Sequence, residues 1–411
     1  MKLGHYFKDF HIDLLFSLIV ILAILDFVYK APHLGIEFVG GTEIPVQLEH
    51  PVNPDVMTQL INTLQQRLTT FGLKQVTVEG IGNSEVLIEI PSVSQSDIES
   101  TISLIESQGV FQGIVGGREA LNESSIVAAS IGSTQSQVGN EVVWNVTFLL
   151  TPQGSARFSK VVFGQANKPL YMFLNRPNNA VVALNSSIFS SESLNGINAS
   201  VVFSAISQAT ELNNSQIPVI FYNSSNINQS ISMLSSYRKT YNELIIAKNA
   251  PIRLISAAKA LNYSIKLETL QNITPSFMPT SSGYVINYWP AIGLLSAPIL
   301  SPSITNGTTS ISSMGYQISG FAPSNLSLSQ KMAYAQNESN LLVSILKGGA
   351  LPVPVVVSPP SPIPPTLGTQ VEKVSIMALV AAVVTVSIAI SLRYKRLFLV
   401  FPIIFTTLAE L

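Results

Sequence analysis

Three carboxylates, Glu37, Glu43 and Glu49, stand at even spacing along one strand-like segment, so they can share a face. Paired carboxylates do general acid–base work, but the same spacing is also what a solvated strand face shows, and that is the reading adopted. Gly113-Ile114-Val115-Gly116-Gly117 has the glycine content of a phosphate-cradling loop, yet no Lys-Ser/Thr step follows it. All four histidines, His5, His11, His33 and His50, lie in the first fifty residues, so a Ser–His–Asp triad in the long middle region has no histidine to use. His33 and His50 lack metal-ligand spacing, and the absence of cysteine removes disulfides, zinc–thiolate sites and thiol catalysis. The expectation is a protein with no catalytic residue, no cofactor and no metal site, and therefore not an enzyme.

The elements that position such residues are built from an unusual composition. Of the 411 residues 47% are apolar, while only 11% are charged, against about 25% in an ordinary soluble protein. Ser, Thr and Asn make the surface polar without making it charged. A net charge of −1 with scattered Lys and Arg gives no basic field, which excludes nucleic acid as a partner.

Two segments read as membrane spans. Ile12 to Val28 is apolar apart from Asp13, Ser17 and Asp26, with the acids near its ends, and the span is placed at 12–30 rather than taken as a cleaved signal peptide. Val374 to Leu392 carries no charge over nineteen residues and is followed by Arg393, Lys395 and Arg396. With Lys2 and Lys8 these put residues 1–11 and the far flank in the cytoplasm and 31–370 outside it. A further apolar run, 397–411, reads as the start of a third span that the chain does not complete. Twelve Asn-x-Ser/Thr sequons, at Asn122, Asn145, Asn185, Asn198, Asn213, Asn223, Asn228, Asn262, Asn272, Asn306, Asn325 and Asn337, all fall between the spans. They fit a glycosylated, extracytoplasmic, archaeal-type surface; an Asn- and Ser-rich sequence also makes such triplets by chance.

Within the outer region, Ile36 to Leu48 reads as a strand interrupted by Gly40-Gly41, a pair that suggests a bulge or close backbone approach. Asn53 caps a helix with Pro54 at its first position, Val56, Leu60, Leu64 and Leu68 on one face, and Gly72 at its end. Gln75 to Glu79 and Glu85 to Ile90 alternate around a turn, and Ile98, Ile102 and Ile105 mark a second amphipathic helix. Strand, helix, strand, strand, helix is the order of a ferredoxin-like split βαβ unit. The fold class expected is therefore α+β: a ferredoxin-like base over 35–108 and 286–350, a β-rich head inserted at 109–285, a stiff Pro-rich linker over 351–370, and flanking transmembrane helices at 12–30 and 374–392.

Several segments, in this order, resemble the SecD family of protein-export subunits. Gly35-Ile36-Glu37-Phe38-Val39-Gly40-Gly41 is similar to its Gly-hydrophobic-Asp-hydrophobic-x-Gly-Gly signature, with Glu37 where the family has Asp, and Gln66-Arg67-Leu68 to its Arg-containing helix. Leu295-Ser296-Ala297-Pro298-Ile299, Gln317-Ile318-Ser319-Gly320-Phe321, Lys347-Gly348-Gly349-Ala350-Leu351-Pro352 and Pro365-Thr366-Leu367-Gly368 match its later segments. The resemblance implies structural roles for Gly35, Glu37, Gly40, Gly41, Ala297, Pro298, Gly320, Gly349, Leu351, Pro352, Leu367 and Gly368. It also implies a SecF-like subunit, the Sec translocon channel, unfolded exported polypeptide and the lipid bilayer as partners, with export driven by the proton gradient. The family has six spans with its coupling acids in the fourth, beyond Leu411. Two other readings stay open: a component of the related RND-type proton-driven efflux pumps, and a glycosylated surface binding protein with two spans.

Overall fold

The computed structural model describes residues 40–91, 94–189, 198–213, 215–281, 283–307, 315–323, 326–365 and scattered positions from 374 to 393. Spans expected at 12–30 and 397–411 lie outside the described residues. Each described position from 374 to 393 is helical and exposed, Val374, Met377, Val384, Val386, Ile388 and Leu392 among them. Among the described residues no helix is long and apolar enough to cross a membrane.

The chain begins with β1 (Gly41–Leu48), α1 (Pro54–Phe71), β2 (Thr77–Ile81), β3 (Glu85–Pro91) and α2 (Gln95–Glu106). α1 starts where the Asn53 side chain accepts from Val56 N–H at 2.9 Å and stops where Gly72 takes the left-handed φ of 109°. Its buried stripe is Met57, Leu60, Leu64 and Leu68, a quarter-turn from one that includes Val56. α2 opens on a capping box between Ser94 and Asp97.

The sequence-based head follows, with β4 (Phe111–Val115), β5 (Arg118–Asn122), β6 (Gly132–Val138), β7 (Glu141–Phe148), α3 (Pro152–Val162) and β8 (Tyr171–Leu174). It continues with β9 (Ala180–Asn185), α4 (Ala199–Thr210), β10 (Val219–Tyr222), α5 (Ile227–Tyr237), β11 (Glu243–Ala247), α6 (Ile252–Ala260) and β12 (Ser264–Glu268). These last seven elements correct the expectation of a β-rich head. They form a parallel sheet in the order β10-β9-β11-β12, with α4 packed on one face and α5 and α6 on the other. A strand covered on both faces is apolar throughout, and Ala180 to Leu184 are all buried, so no alternation announces them.

The return path is β13 (Ser276–Thr280), β14 (Gly283–Tyr288), β15 (Leu294–Ser296), β16 (Tyr316–Phe321), α7 (Leu328–Gly348), β17 (Val355–Val357) and β18 (Ser361–Ile363). β15 and β16 do not join the first sheet: β15 closes the sheet β15-β8-β4-β5 and β16 the sheet β16-β7-β6. The base boundary expected at 286 therefore moves to α7. α7 bridges two cores, placing Ile345 beside Leu60, Leu64 and Val86, and Leu342 and Leu346 beside Phe111, Trp144 and Phe148.

The Pro-rich segment expected as a linker instead completes the first sheet, whose order is β17-β1-β3-β2 with β18 also on β1. Val355–Val357 pairs with Val46–Leu48 and Ser361–Ile363 with Gly41–Glu43, all antiparallel. The break between them sits opposite Pro45, which has no N–H to offer, and there Pro359 and Pro360 bulge outward. Edge position is what lets prolines enter a sheet at all. On the face of this sheet away from α1 and α2 lie Glu43, Glu79, Glu85 and Glu89, with Glu43 directly opposite Glu89, the solvated strand face expected of Glu43.

Gly40, rather than Gly41, carries the conformational demand. Its φ is +76°, and a Cβ there would lie 2.9 Å from the Ile363 carbonyl oxygen, whereas Gly41 is the first residue of extended β1. Gly40→Ala should lower the stability of the full chain by about 1–2 kcal/mol, and Gly41→Ala by clearly less, as read from paired chemical-denaturation curves. Equal effects would mean that the close approach to β18 is not what requires glycine.

Candidate functional site

Arg67 is the charge that the apolar stripe of α1 has to bury. It follows Leu60 and Leu64 on the buried face and is fully inaccessible. A buried guanidinium with no carboxylate needs carbonyl oxygens, and Arg67 finds four. Nη1 donates to Leu104 at 3.2 Å and to Ser107; Nη2 donates to Gln108 at 3.1 Å and to Gly349 at 2.5 Å. Leu104 and Ser107 stand at the C-terminal end of α2 and Gly349 caps α7, so the cation meets the negative ends of two helices at once. Burial draws its pKa down to about 10, which leaves it a cation at neutral pH.

The same four acceptors mark the two crossings between base and inserted region. The chain leaves the base through Gln108 and returns along α7, which ends at Gly349, and Leu351 N–H bonds to the Gln108 carbonyl at 2.7 Å. Gly109 and Gly348 have no room for side chains, since a Cβ on either would run into the Arg67 guanidinium or its stem. Asn175 ties the crossing to β8, its Nδ2 donating to Ser107 Oγ at 2.9 Å and its Oδ1 accepting from Val110 N–H at 3.1 Å.

A cleft of about 560 Å³ lies on the inserted region, between the β4–β5 turn and the loop before β8. Gly116 and Gly117 form that turn with φ of +54° and +69°, so the glycine-rich segment is a strand and a hairpin rather than a loop that opens a helix. Lys168, Tyr171, Glu211 and Tyr284 line the cleft. The Tyr171 hydroxyl is buried with no hydrogen-bond partner, and burial pushes its pKa up. Close by on the same region, Phe189, Phe203 and Phe221 meet at centroid distances of 4.7 to 5.1 Å, and Phe203 is 48% exposed. This arrangement can hold a chain by its apolar and neutral polar groups; it contains no nucleophile with a base beside it.

The residues expected to be structural do not converge on one site. Gly35, Glu37, Leu367 and Gly368 lie outside the described residues. Gly40 and Gly41 sit against β18, and Gly349 and Leu351 at the Arg67 crossing, with Pro352 exposed beside it. Ala297 is buried, Pro298 O accepts from Leu170 N–H at 2.8 Å, and Gly320 lies flat against the Trp144 ring, where a Cβ would collide. Of the sequon asparagines, the side-chain amides of Asn122, Asn272 and Asn337 donate to Glu119, Glu268 and Ser100, so a glycan on that nitrogen would compete with these bonds. Arg67 entered the sequence reading only as part of a motif. The signal was available in its place on the buried stripe, where a charge implies carbonyl partners. Glu338 was missed as well: burial raises its pKa, and the pKa values of Tyr288 and Tyr334 are raised first by burial and then by the Glu338 charge.

No protein-family model matches the chain. It is similar to the protein-export membrane protein SecD of Thermococcus gammatolerans, 24% identical over 429 aligned positions that cover 97% of this chain and 74% of that one. The resemblance to SecD seen in the sequence thus extends over nearly the whole chain. A second SecD, of Methanothermobacter thermautotrophicus, is 30% identical over 176 positions, which cover 42% of this chain and 41% of the relative. The protein translocase subunit SecD of Leptotrichia buccalis is 25% identical over 186 positions, 44% of each chain. Among solved structures, SecDF in its super-membrane-facing form aligns over 92% of this chain and 39% of its own length, with a TM-score of 0.45 and 14% identity. A second SecDF structure aligns over 77% of this chain with a TM-score of 0.36.

Arg67→Met should destabilise the full chain by about 3 kcal/mol or more, because four carbonyls lose their donor. Arg67→Lys should recover little of this, since one ammonium cannot span both helix ends. Denaturant unfolding with hydrogen exchange at 104–110 and 349–351 measures both. At Glu338 the folded state holds the proton more tightly than the unfolded chain, so the ionised group costs stability above its raised pKa. That cost fades as pH falls through the raised value toward the ordinary 4.5. Glu338→Gln should therefore raise Tm at a pH of about 8 and leave it unchanged at a pH of about 4; a uniform shift at both would count against the assignment.

Proposed function

We propose that this chain is an auxiliary membrane subunit of the Sec protein-export machinery that binds polypeptide emerging outside the membrane. The alignment with a SecD across 97% of the chain carries this reading. The strand order β17-β1-β3-β2, all antiparallel, supports a ferredoxin-like split βαβ base, its fourth strand supplied only after the head has been inserted between α2 and α7. The head is the substrate-facing part. Its surface suits a client of any charge, since residues 269 to 330 contain no Asp, Glu, Lys or Arg. The Phe189, Phe203 and Phe221 cluster offers apolar contact and the cleft at Lys168 and Glu211 offers both signs of charge. The work done is binding and movement rather than covalent catalysis.

Proton coupling belongs to other segments. Asp13, Asp26 and Glu372 stand near the ends of the two segments read as complete spans. A SecF-like subunit beside the Sec channel is the partner that completes the machine. In vesicles holding the Sec channel and a translocating substrate, a proton gradient should stimulate export only when that partner accompanies this chain. Stimulation by the 411-residue chain alone, abolished by Asp26→Asn, would place the motor here instead. Unfolded polypeptide should bind with or without the gradient.

A further inference from the structure

The sheet β16-β7-β6 ends on one side in β6, Gly132–Val138. Its turn to β7 has two residues, Gly139 and Asn140, with Gly139 at φ +62°, which makes Val138 and Glu141 a hydrogen-bonded pair. Such pairs alternate, and the register runs from Val138–Glu141 to Gly132–Thr147 with no shift. Ser136, Thr134 and Gly132 thus direct their main-chain groups at β7. The N–H and C=O groups of Ser133, Gln135 and Gln137 point the other way, and nothing among the described residues bonds them.

Natural edge strands are blunted by charge, proline, bulges or a covering element. Among the described residues β6 has none of these: Gly-Ser-Thr-Gln-Ser-Gln-Val is uncharged, free of proline and regular. Four other edges among the described residues carry such a device. β2 carries Glu79, β12 carries the Lys266–Glu268 pair at 3.2 Å, β18 holds Pro362, and β5 lies under α3 with Arg157 on Glu119 at 2.6 Å. β6 is also held firmly from behind by α7, for Gln135 Nε2 donates to Ser339 Oγ at 2.8 Å and Lys331 Nζ to the Asn140 carbonyl at 2.8 Å. An open ladder on a rigid backing loses little entropy when a strand is added.

We propose that β6 takes up an extended segment of polypeptide as a fourth strand of this sheet, held by main-chain hydrogen bonds to Ser133, Gln135 and Gln137. The proposal rests on the export reading and names how the client is gripped. Main-chain bonding is blind to sequence, and the neutral Ser, Thr and Gln side chains along the edge tolerate clients of either charge. A second copy of the chain is the other conceivable occupant. An uncharged polar strand sets register only weakly, which suits a client that slides and does not suit a fixed symmetric pair.

The test uses the detergent-solubilised full chain and a fluorescent nine-residue peptide of alternating Val and Thr, with a twin N-methylated at every second residue. The unmodified peptide should bind, and the methylated twin, which cannot complete a ladder, should bind about tenfold more weakly or worse. Ser133→Pro with Gln137→Pro removes outward N–H groups without touching bonds to β7 and should weaken binding to the same degree. Ser133→Ala with Gln137→Ala should bind as the parent does. Should the proline variant fold poorly, slowed hydrogen exchange at 133, 135 and 137 of the parent on peptide addition decides the matter. Equal binding of both peptides overturns the proposal while leaving the export reading intact. A dimer that forms without peptide and is broken by the prolines overturns it in favour of a second copy. If neither peptide binds, the proposal also fails, and the partner-dependent export assay decides separately whether the export reading survives.

Discussion

The arrangement of this chain depends on one buried cation satisfied by carbonyl oxygens. Arg67 ends a helix-long apolar stripe inside the protein, where an unpaired charge would cost several kcal/mol. It is tolerable because two helix C-termini and the loop between base and head all present carbonyls to one planar fork. Remove the fork and those carbonyls are orphaned together. The junction through which a region of more than two hundred residues is inserted is thereby defined by a single side chain, flanked by two glycines that keep its surroundings clear.

The same economy recurs at several other cations of this sparsely charged molecule. Arg176 donates to the Thr210 carbonyl at the end of α4 at 2.5 Å and lies over Phe173, and Arg238 donates to Leu261 and Asn262 at the end of α6. Lys331, fully buried, reaches the Asn140 carbonyl and stands 3.4 Å from Glu141. Helix ends supply partial negative charge without spending a carboxylate. A protein with so few acids can therefore anchor its cations and still keep a surface that is polar with little charge.

What the sequence made legible was local. Asn53, Pro54 and Gly72 mark α1 because capping depends on residues a few positions apart, and the turn before β3 follows from alternation on either side of it. The parallel sheet was hidden because Ala180 to Leu184 is buried on both faces and has no period to read. β17 and β18 were hidden because prolines argue against strands, and only the tertiary position of β1, with Pro45 opposite the break, makes them admissible. Gly40 and Gly349 were found by motif, but the reasons they are glycine, a β18 carbonyl and the positive φ of a helix end, are long-range or geometric. The Lys168–Tyr171–Glu211 cleft draws on segments far apart in the chain and left no local trace.

The late arrival of β17 has a consequence for how the molecule is made. While the ribosome is still supplying the head, β1 has its β3 partner on one side and bare main chain on the other, and it stays so for about 250 residues, from Glu106 to Val355. Closing a flexible loop of that length costs roughly 5 kcal/mol of chain entropy. A head that has already folded removes most of this cost, because it delivers Gln108 and Leu351 to within one hydrogen bond of each other. Topology thus favours one order of folding, in which the inserted region matures first and the base, although it comes first in the chain, closes last.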